Sequence, residues 1–387
     1  MKSKISGKPS NDLPESRLMD LINRDEIIQD FCTLVQIDSP SFEEEKIIHH
    51  CLSVLKKLQF KTEKTPFTYH GNNSANIYGY KKGKLKGNMI LGAHMDVVKP
   101  CLSVKPQVKD DIITSDGTTV LGGDNKIALT AILYALKVLS REKMEHIDIE
   151  LAITSAEEVG VVGARFFETE KFHGNKGVIL DAGGRYGGIV VGAPTHDTYK
   201  LVIHGLSSHA GIAPEKGDNA IVKTAKVLPL LPSGRIDNET VANIGTITGG
   251  KATNIVPDEV TINGEIRSFK TEKVEEIINS INNALKNALE EKDYTLRWIR
   301  EYTSYSFDEN DPFIHKISEI IKNTGIQPHC FVTGGGSDAN AFNTRGLQIV
   351  NLSCGMMNPH SLDEHIYIDD LIKSTLFLLE ILTTPEE

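Results

Sequence analysis

The chain is poor in cysteine, in long apolar runs and in surplus positive charge, and each shortage excludes something. Its five cysteines (Cys32, Cys51, Cys101, Cys330 and Cys354) are scattered, odd in number and never spaced as Cys-x-x-Cys. That disfavours a disulfide framework and a thiolate zinc site. Any metal centre has to be built from His, Asp and Glu, and thirteen histidines make one worth looking for. No apolar run approaches the roughly 20 residues needed to span a bilayer, and the first residues (MKSKISGKPSNDLPESRL) are polar, without the apolar segment of a signal peptide. A cytoplasmic protein with no membrane partner is expected. Lys and Arg total 42 against 52 Asp and Glu, a net charge of −10, so a nucleic-acid partner is not expected either.

What remains is an ordinary globular composition over 387 residues, enough for two domains. Residues 1–22 are Ser-, Pro- and Lys-rich and are expected to form a flexible extension. Helical spacing of apolar residues predicts helices over 24–36 and 45–59, and a long helix over 125–139. Apolar runs at 88–93, 147–153 and 177–180 read as strands that stop at His or acidic residues. In open α/β sheets the carboxyl ends of strands line the ligand crevice, so those polar residues are the first candidates for chemistry.

The pattern changes between 198 and 302. Strands are predicted at 199–204, 240–248, 259–269 and 294–301, with helices over 218–231 and from Val274 to Leu289. The order β-α-β-β-α-β is that of a ferredoxin-like module. After 303 a helix at 313–323, a glycine loop at 334–336, a strand at 347–352 and a last helix at 369–382 follow. These are too few for a third domain. They are expected to complete the first sheet, so that residues 23–197 and 303–387 form one catalytic domain with 198–302 inserted as a lid.

His94 and Asp96 stand two apart at a strand end, which suits an imidazole ligand oriented by a neighbouring carboxylate, or simply a solvated strand end. Asp124, at a helix start behind Gly122 and Gly123, suits either an N-cap or a carboxylate bridging two cations. Both roles are hard to fill with the same oxygens. Glu157 and Glu158 follow a strand as a pair, so one carboxylate can bind metal while the other takes a proton, unless both are surface charges. Asp181 ends another strand. His360 and His365 compete for a ligand role, and the spacing to Glu364 favours His360. Two His and three or more carboxylates, most of them at predicted strand ends of one sheet, suit a pair of zinc-like ions.

Several stretches then carry a specific resemblance over residues 25–380: GAHMDVV (92–98), DGTTVLGGDNK (116–126), AEEVG (156–160), LDAGG (180–184), SHAG (208–211), NIVPD (254–258), EIR (265–267), GGSD (335–338) and HSLDE (360–364). The chain resembles the co-catalytic zinc metallopeptidases, the family of peptidase T, aminoacylase and carnosinase, and peptidase T above all. The resemblance implies a three-layer α/β/α catalytic domain of the phosphorylase/hydrolase-like type. It also implies an inserted ferredoxin-like βαββαβ lid through which two copies form a homodimer. It places His94, Asp124 and Asp181 on one divalent ion and Asp124, Glu158 and His360 on the other, zinc first, with cobalt or manganese as alternatives. Glu157 becomes the general base, Asp96 the partner of His94, and His209 a lid residue that stabilises the oxyanion. Asn254 and Arg267 match positions that contact the substrate backbone or carboxylate. Two positions depart from the pattern: His365 stands where the family usually has an aromatic residue, and Asn125 where peptidase T has a second acidic one.

The implied reaction is hydrolysis of short peptides, in the manner of an aminopeptidase or tripeptidase. Deacylation of N-acyl amino acids and a non-catalytic peptide- or metal-binding role are the alternatives. A serine hydrolase built on Ser337 lacks the final glycine of the nucleophile elbow, and a dimetal phosphoesterase has only its carboxylates in favour.

Overall fold

The computed structural model describes residues 15–386. By contacts the chain divides into two units. The first comprises residues up to Val190, Asp308–Phe331 and Arg345 onward; the second comprises Val191–Phe307 and Val332–Thr344.

The first unit is an α/β layer structure around one mixed sheet. Its strands run in the order Lys61–Tyr69, Asn72–Lys81, Asp148–Thr154, Asn88–His94, Lys176–Ala182 and Gln348–Ser353, followed by the start of Gly188–Ala193. The four strands from Asp148–Thr154 to Gln348–Ser353 are mutually parallel. They are buried along almost their whole length, as expected of parallel strands covered on both faces. The Asn88–His94 strand lies between the strands that follow it in sequence, so the chain order reverses beside it. That reversal opens a crevice at the carboxyl ends, where His94, Asp181 and the residues after Thr154 emerge.

Helix Gly123–Arg141 is apolar on nearly every side because it is buried between the sheet and helices Arg24–Val35 and Ile368–Thr383. Helix Glu45–Lys57 covers the antiparallel edge with Ile47, Ile48, Cys51 and Leu55. A small sheet of Gln107–Lys109, Ile112–Thr114, Met356–Met357 and His365–Tyr367 has strands too short to show periodicity in the sequence.

Of the extension expected over 1–22, residues 1–14 lie outside the described residues. The rest is a correction to that expectation: Glu15–Met19 is helical, Leu18 is buried, and the Leu21 carbonyl accepts from Arg141 Nη2 at 2.7 Å. Leu18, Leu21 and Ile22 supply enough apolar surface to anchor a segment whose overall composition is polar.

The second unit is an antiparallel sheet in the order Gly234–Arg235, Thr240–Gly249, Glu259–Ser268, Thr195–His204 and Tyr294–Tyr302. Helices Ala220–Val227 and Thr271–Ala288 pack on it through a core that includes Leu201, Ile203, Ile262, Ile266, Ile281 and Leu285. Apart from the short Gly234–Arg235 strand, this is the β-α-β-β-α-β order of the sequence. The first helix is shorter than 218–231. Asn219 caps its start, and Pro229, which has no N–H to give, turns its end into the 3₁₀ turn Leu228–Leu230.

Candidate metal-binding active site

Five segments at the carboxyl edge of the first unit's sheet bring five candidate ligands together. His94 ends its strand with its side chain 2 % exposed, and its Nε2 lies 3.0 Å from Asp124 Oδ1 and 3.4 Å from Asp181 Oδ1. On the other side His360 Nε2 lies 3.3 Å from Asp124 Oδ2 and 2.9 Å from Glu158 Oε2. Asp124 therefore turns one oxygen toward each histidine. The two halves differ in access, because the His360 side chain is 54 % exposed while those of Glu158 and Asp181 are 5 % and 6 % exposed.

The residues between which the sequence left alternatives lie in different surroundings. The N-cap of helix Gly123–Arg141 is Gly122, at φ 75°, and not Asp124, whose φ and ψ of −81° and 104° are non-helical. The Asp124 carboxylate is thus directed at the two histidines. His365 sits in the small sheet, its Nδ1 3.0 Å from the Asp363 carbonyl, while His360 is the histidine at the cluster. Ser337 caps helix Asp338–Asn343 in a reciprocal capping box, a structural use of its hydroxyl.

Buried carboxylates hold the ligand-bearing turns. Asp96, fully buried, accepts from the backbone N–H of Glu157 at 2.9 Å and of Glu158 at 3.1 Å, and from Ser41 Oγ at 2.7 Å. The Asp96 carbonyl lies 3.0 Å from His94 Nδ1. That contact makes Nδ1 a donor and leaves Nε2 as the nitrogen facing Asp124 and Asp181. Glu364 accepts from the N–H of Gly122 at 2.7 Å and of Asp124 at 2.9 Å. Asn351 Oδ1 accepts from the N–H of Asp181 at 2.9 Å. Ala156 and His360 both have positive φ, 54° and 64°, a conformation that costs a non-glycine residue of the order of 1–3 kcal/mol and clusters at functional sites.

The electrostatics are those of a cation site. Burial alone would lower the His94 pKa, but Asp181, Asp124 and Asp96 around it raise it well above its usual value. Hydrogen bonds to Asp124 and Glu158 push His360 up to about 10. Burial and the charge of Asp124 both raise Glu158. Carboxylates crowded in this way favour positive charge between them.

The donor set also fits metal ions by its unmet valences. Ligand atoms of His94, Asp124 and Glu158 all lie within 4.8 Å of one another. Glu158 Oε1 is buried with no hydrogen-bond partner, the kind of orphaned acceptor that a cation satisfies. Oxygen and imidazole donors without thiolate suit zinc, cobalt or manganese.

The remaining candidates belong to the second unit. His209 is exposed, with Nδ1 accepting from the N–H of Gly211 at 3.2 Å. Asn254 is exposed beside it, since its carbonyl accepts from Ala210 N–H at 3.0 Å. Arg267 is already engaged: Nε and Nη2 reach Glu265 at 3.3 and 3.1 Å, and Nη1 reaches Tyr302 Oη at 3.1 Å and the Gly334 carbonyl at 3.3 Å. His196 contacts the same Glu265 at 3.1 Å. Ser41, Glu44 and His196 carry no signal in the sequence, and Glu265 and Glu364 stand there only as members of the EIR and HSLDE stretches. Apart from Arg267 beside Glu265 and Phe42 beside Glu44, their partners lie far away in the chain.

Comparison with known proteins places the chain in a family. A family model for the peptidase dimerisation domain matches residues 191–293, and one for M42 glutamyl aminopeptidase matches 109–183. The uncharacterized protein YqjE of Bacillus subtilis (strain 168) is 34 % identical over 371 residues, covering 94 % of this chain and 99 % of its own. The crystal structure of aminopeptidase PepT from Bacillus cereus ATCC 10987 superposes with a TM-score of 0.81 at 34 % identity, over 94 % of this chain and 99 % of that one. A tripeptidase from Staphylococcus aureus subsp. aureus Mu50 gives 0.85 at 31 %, over 94 % and 98 %. With its mixed sheet, its inserted antiparallel unit and its paired carboxylate and imidazole donors, the chain belongs to the M20 family of peptidases, close to peptidase T.

Proposed function

We propose that the protein is a two-metal aminopeptidase that removes the N-terminal residue of short peptides, tripeptides first. The observation that carries this is Asp124, whose two oxygens face separate imidazoles, His94 at 3.0 Å and His360 at 3.3 Å. In this reading His94, Asp124 and Asp181 would hold one divalent ion and Asp124, Glu158 and His360 the other, zinc before cobalt or manganese. Such a pair supplies charge that polarises a scissile carbonyl and makes a water more acidic.

The chain's own residues do the rest. Glu157, not counted among the ligands, takes the proton of the attacking water on its carboxylate and passes it to the leaving amine. Asp96 fixes the His94 ring and, through two backbone N–H groups, the Glu157–Glu158 turn. His209 donates to the developing oxyanion. Asn254 and Arg267 receive the peptide backbone or carboxylate, with Glu265 and Tyr302 setting the plane of the guanidinium. Two copies pair through the second unit, the one matched by the peptidase dimerisation domain.

The test is a panel of di-, tri- and N-acylated peptides with and without 1,10-phenanthroline. Release of free N-terminal amino acids from tripeptides, abolished by the chelator and restored by zinc, is expected. Chelator-resistant turnover would remove the metal mechanism, and preferential release of acyl groups would make the enzyme a deacylase.

A further inference from the structure

The turn that carries Glu157 and Glu158 is held in an unusual way. Four consecutive backbone N–H groups are each taken by a side chain: Ser155 by Asn76 Oδ1 at 3.2 Å, Ala156 by Glu44 Oε1 at 3.0 Å, and Glu157 and Glu158 by Asp96 at 2.9 and 3.1 Å. The turn cannot satisfy these donors itself, because Ala156 at φ 54° directs successive N–H groups inward. Gly163 lies against the turn so closely that a Cβ there would be 2.1 Å from the Ser155 carbonyl oxygen.

Glu44 stands out in this set. It is the N-cap of helix Glu45–Lys57, yet its side chain makes no capping bond to that helix. The carboxylate instead reaches across the chain, 1 % exposed. Oε1 accepts from Phe42 N–H at 2.8 Å and Ala156 N–H at 3.0 Å, and Oε2 accepts from Ser74 Oγ at 2.7 Å. The segment before it is tied to the same region. Val97 N–H donates to the Ser39 carbonyl at 3.0 Å, Ser39 Oγ donates to the Met95 carbonyl at 2.8 Å, and Ser41 Oγ donates to Asp96 at 2.7 Å. Residues 39–44 thus form a strap behind both the His94–Asp96 turn and the Glu157–Glu158 turn.

We propose that Glu44 is a positioning residue for this site: by holding the Ala156 N–H it fixes the turn from which Glu157 meets the reacting water and Glu158 meets the metal. The proposal rests on the roles given above to Glu157 and Glu158. Its chemistry is that of an acceptor and not of a charge. A glutamine at 44 keeps an oxygen for both N–H groups and turns its amide toward Ser74, whose hydroxyl accepts as well as donates. Leucine keeps the volume and removes every acceptor. Aspartate keeps the charge but withdraws it by one methylene.

The test uses full-length protein stripped of metal and reloaded with Co(II), whose visible absorption reports ligand geometry independently of turnover. Glu44→Gln is expected to keep the wild-type spectrum and a kcat within about twofold. Glu44→Leu is expected to change the spectrum and lower kcat about 10- to 100-fold, the usual cost of losing an outer partner of a metal ligand, with KM within about threefold. Glu44→Asp should move the same way, and it carries the test if Glu44→Leu does not fold. A wild-type spectrum and kcat in Glu44→Leu or Glu44→Asp overturns the proposal. So does a Glu44→Gln protein as impaired as Glu44→Leu, which would make the charge the active feature. Glu157→Gln is measured alongside. Full turnover in that variant refutes the base assignment, while a spectral change in Glu44→Leu still reports the clamp on Glu158.

Discussion

Replacing Asp96 with asparagine perturbs the site without changing its volume, and the structure sets the size of the effect. The carboxylate accepts from Glu157 N–H at 2.9 Å through one oxygen, and from Glu158 N–H at 3.1 Å and Ser41 Oγ at 2.7 Å through the other. Burial works against its charge, yet His94, Ser41 and the Glu157 N–H hold its pKa below the usual carboxylate range. An amide has one acceptor oxygen. Whichever way it is turned, one backbone N–H then faces an NH₂ group and is left unpaired against a side chain with zero exposure. An orphaned buried donor costs roughly 1–3 kcal/mol. If that cost falls on local opening of the turn, the Glu157 and Glu158 amides exchange with deuterium about 5- to 140-fold faster. Metal affinity should also fall about 10- to 100-fold, because the ring of His94 loses its charged neighbour. Hydrogen exchange on peptides covering residues 154–160, with a zinc competition titration, reads both. Unchanged exchange together with unchanged affinity in Asp96→Asn would refute the reasoning.

Other perturbations test neighbouring parts of the account. Glu157→Gln should bind zinc like the wild type and lose about 10²- to 10⁴-fold in kcat, the range for a general base, measured on a tripeptide with metal content determined in parallel. In the second unit Glu265 is held down to about 2, first by its hydrogen bond from His196 and then, against burial, by Arg267. Its folded pKa lies below the ordinary glutamate value of 4.5, so its contribution to stability is present above that value and is lost as pH falls through about 2. The single tryptophan, Trp298, reports this unit, and its unfolding midpoint should fall more steeply between pH 4.5 and 2 in the wild type than in Glu265→Gln. Ile262 has zero exposure in the core of that unit, and Ile262→Ala should cost about 2–5 kcal/mol by denaturant unfolding followed at Trp298.

Much of this was legible in the sequence because it depends on local pattern. Uninterrupted apolar runs such as 88–93 announce buried parallel strands, and alternation through Val260, Ile262 and Ile266 announces a sheet with one covered face. His94 and Asp181 were legible as candidates because they stand where such runs stop. Two kinds of feature were not. Gly188–Ala193 is a strand with only three large apolar residues, Ile189 to Val191, between glycines, and the Ile112–Thr114 strand is too short to have a period. Of the residues that hold the ligand turns, Glu44 and Glu364 act through backbone N–H groups far along the chain and Ser41 through the Asp96 carboxylate. Ala156 lies 112 residues from Glu44, and Gly122 lies 242 from Glu364. Asp124 shows the limit from the other side: its position after two glycines suited a cap or a bridge equally. Only the kinked helix start, with Glu364 on its backbone N–H, freed the carboxylate for the histidines.

The central claim is that Asp124 joins two cation sites, and metal stoichiometry tests it most directly. Zinc-reconstituted protein, gel-filtered and assayed by mass spectrometry of the metal, should carry two ions per chain, and Asp124→Ala should retain at most one, bound weakly. A wild type that holds only one ion, or an Asp124→Ala protein that still holds two, would contradict the account.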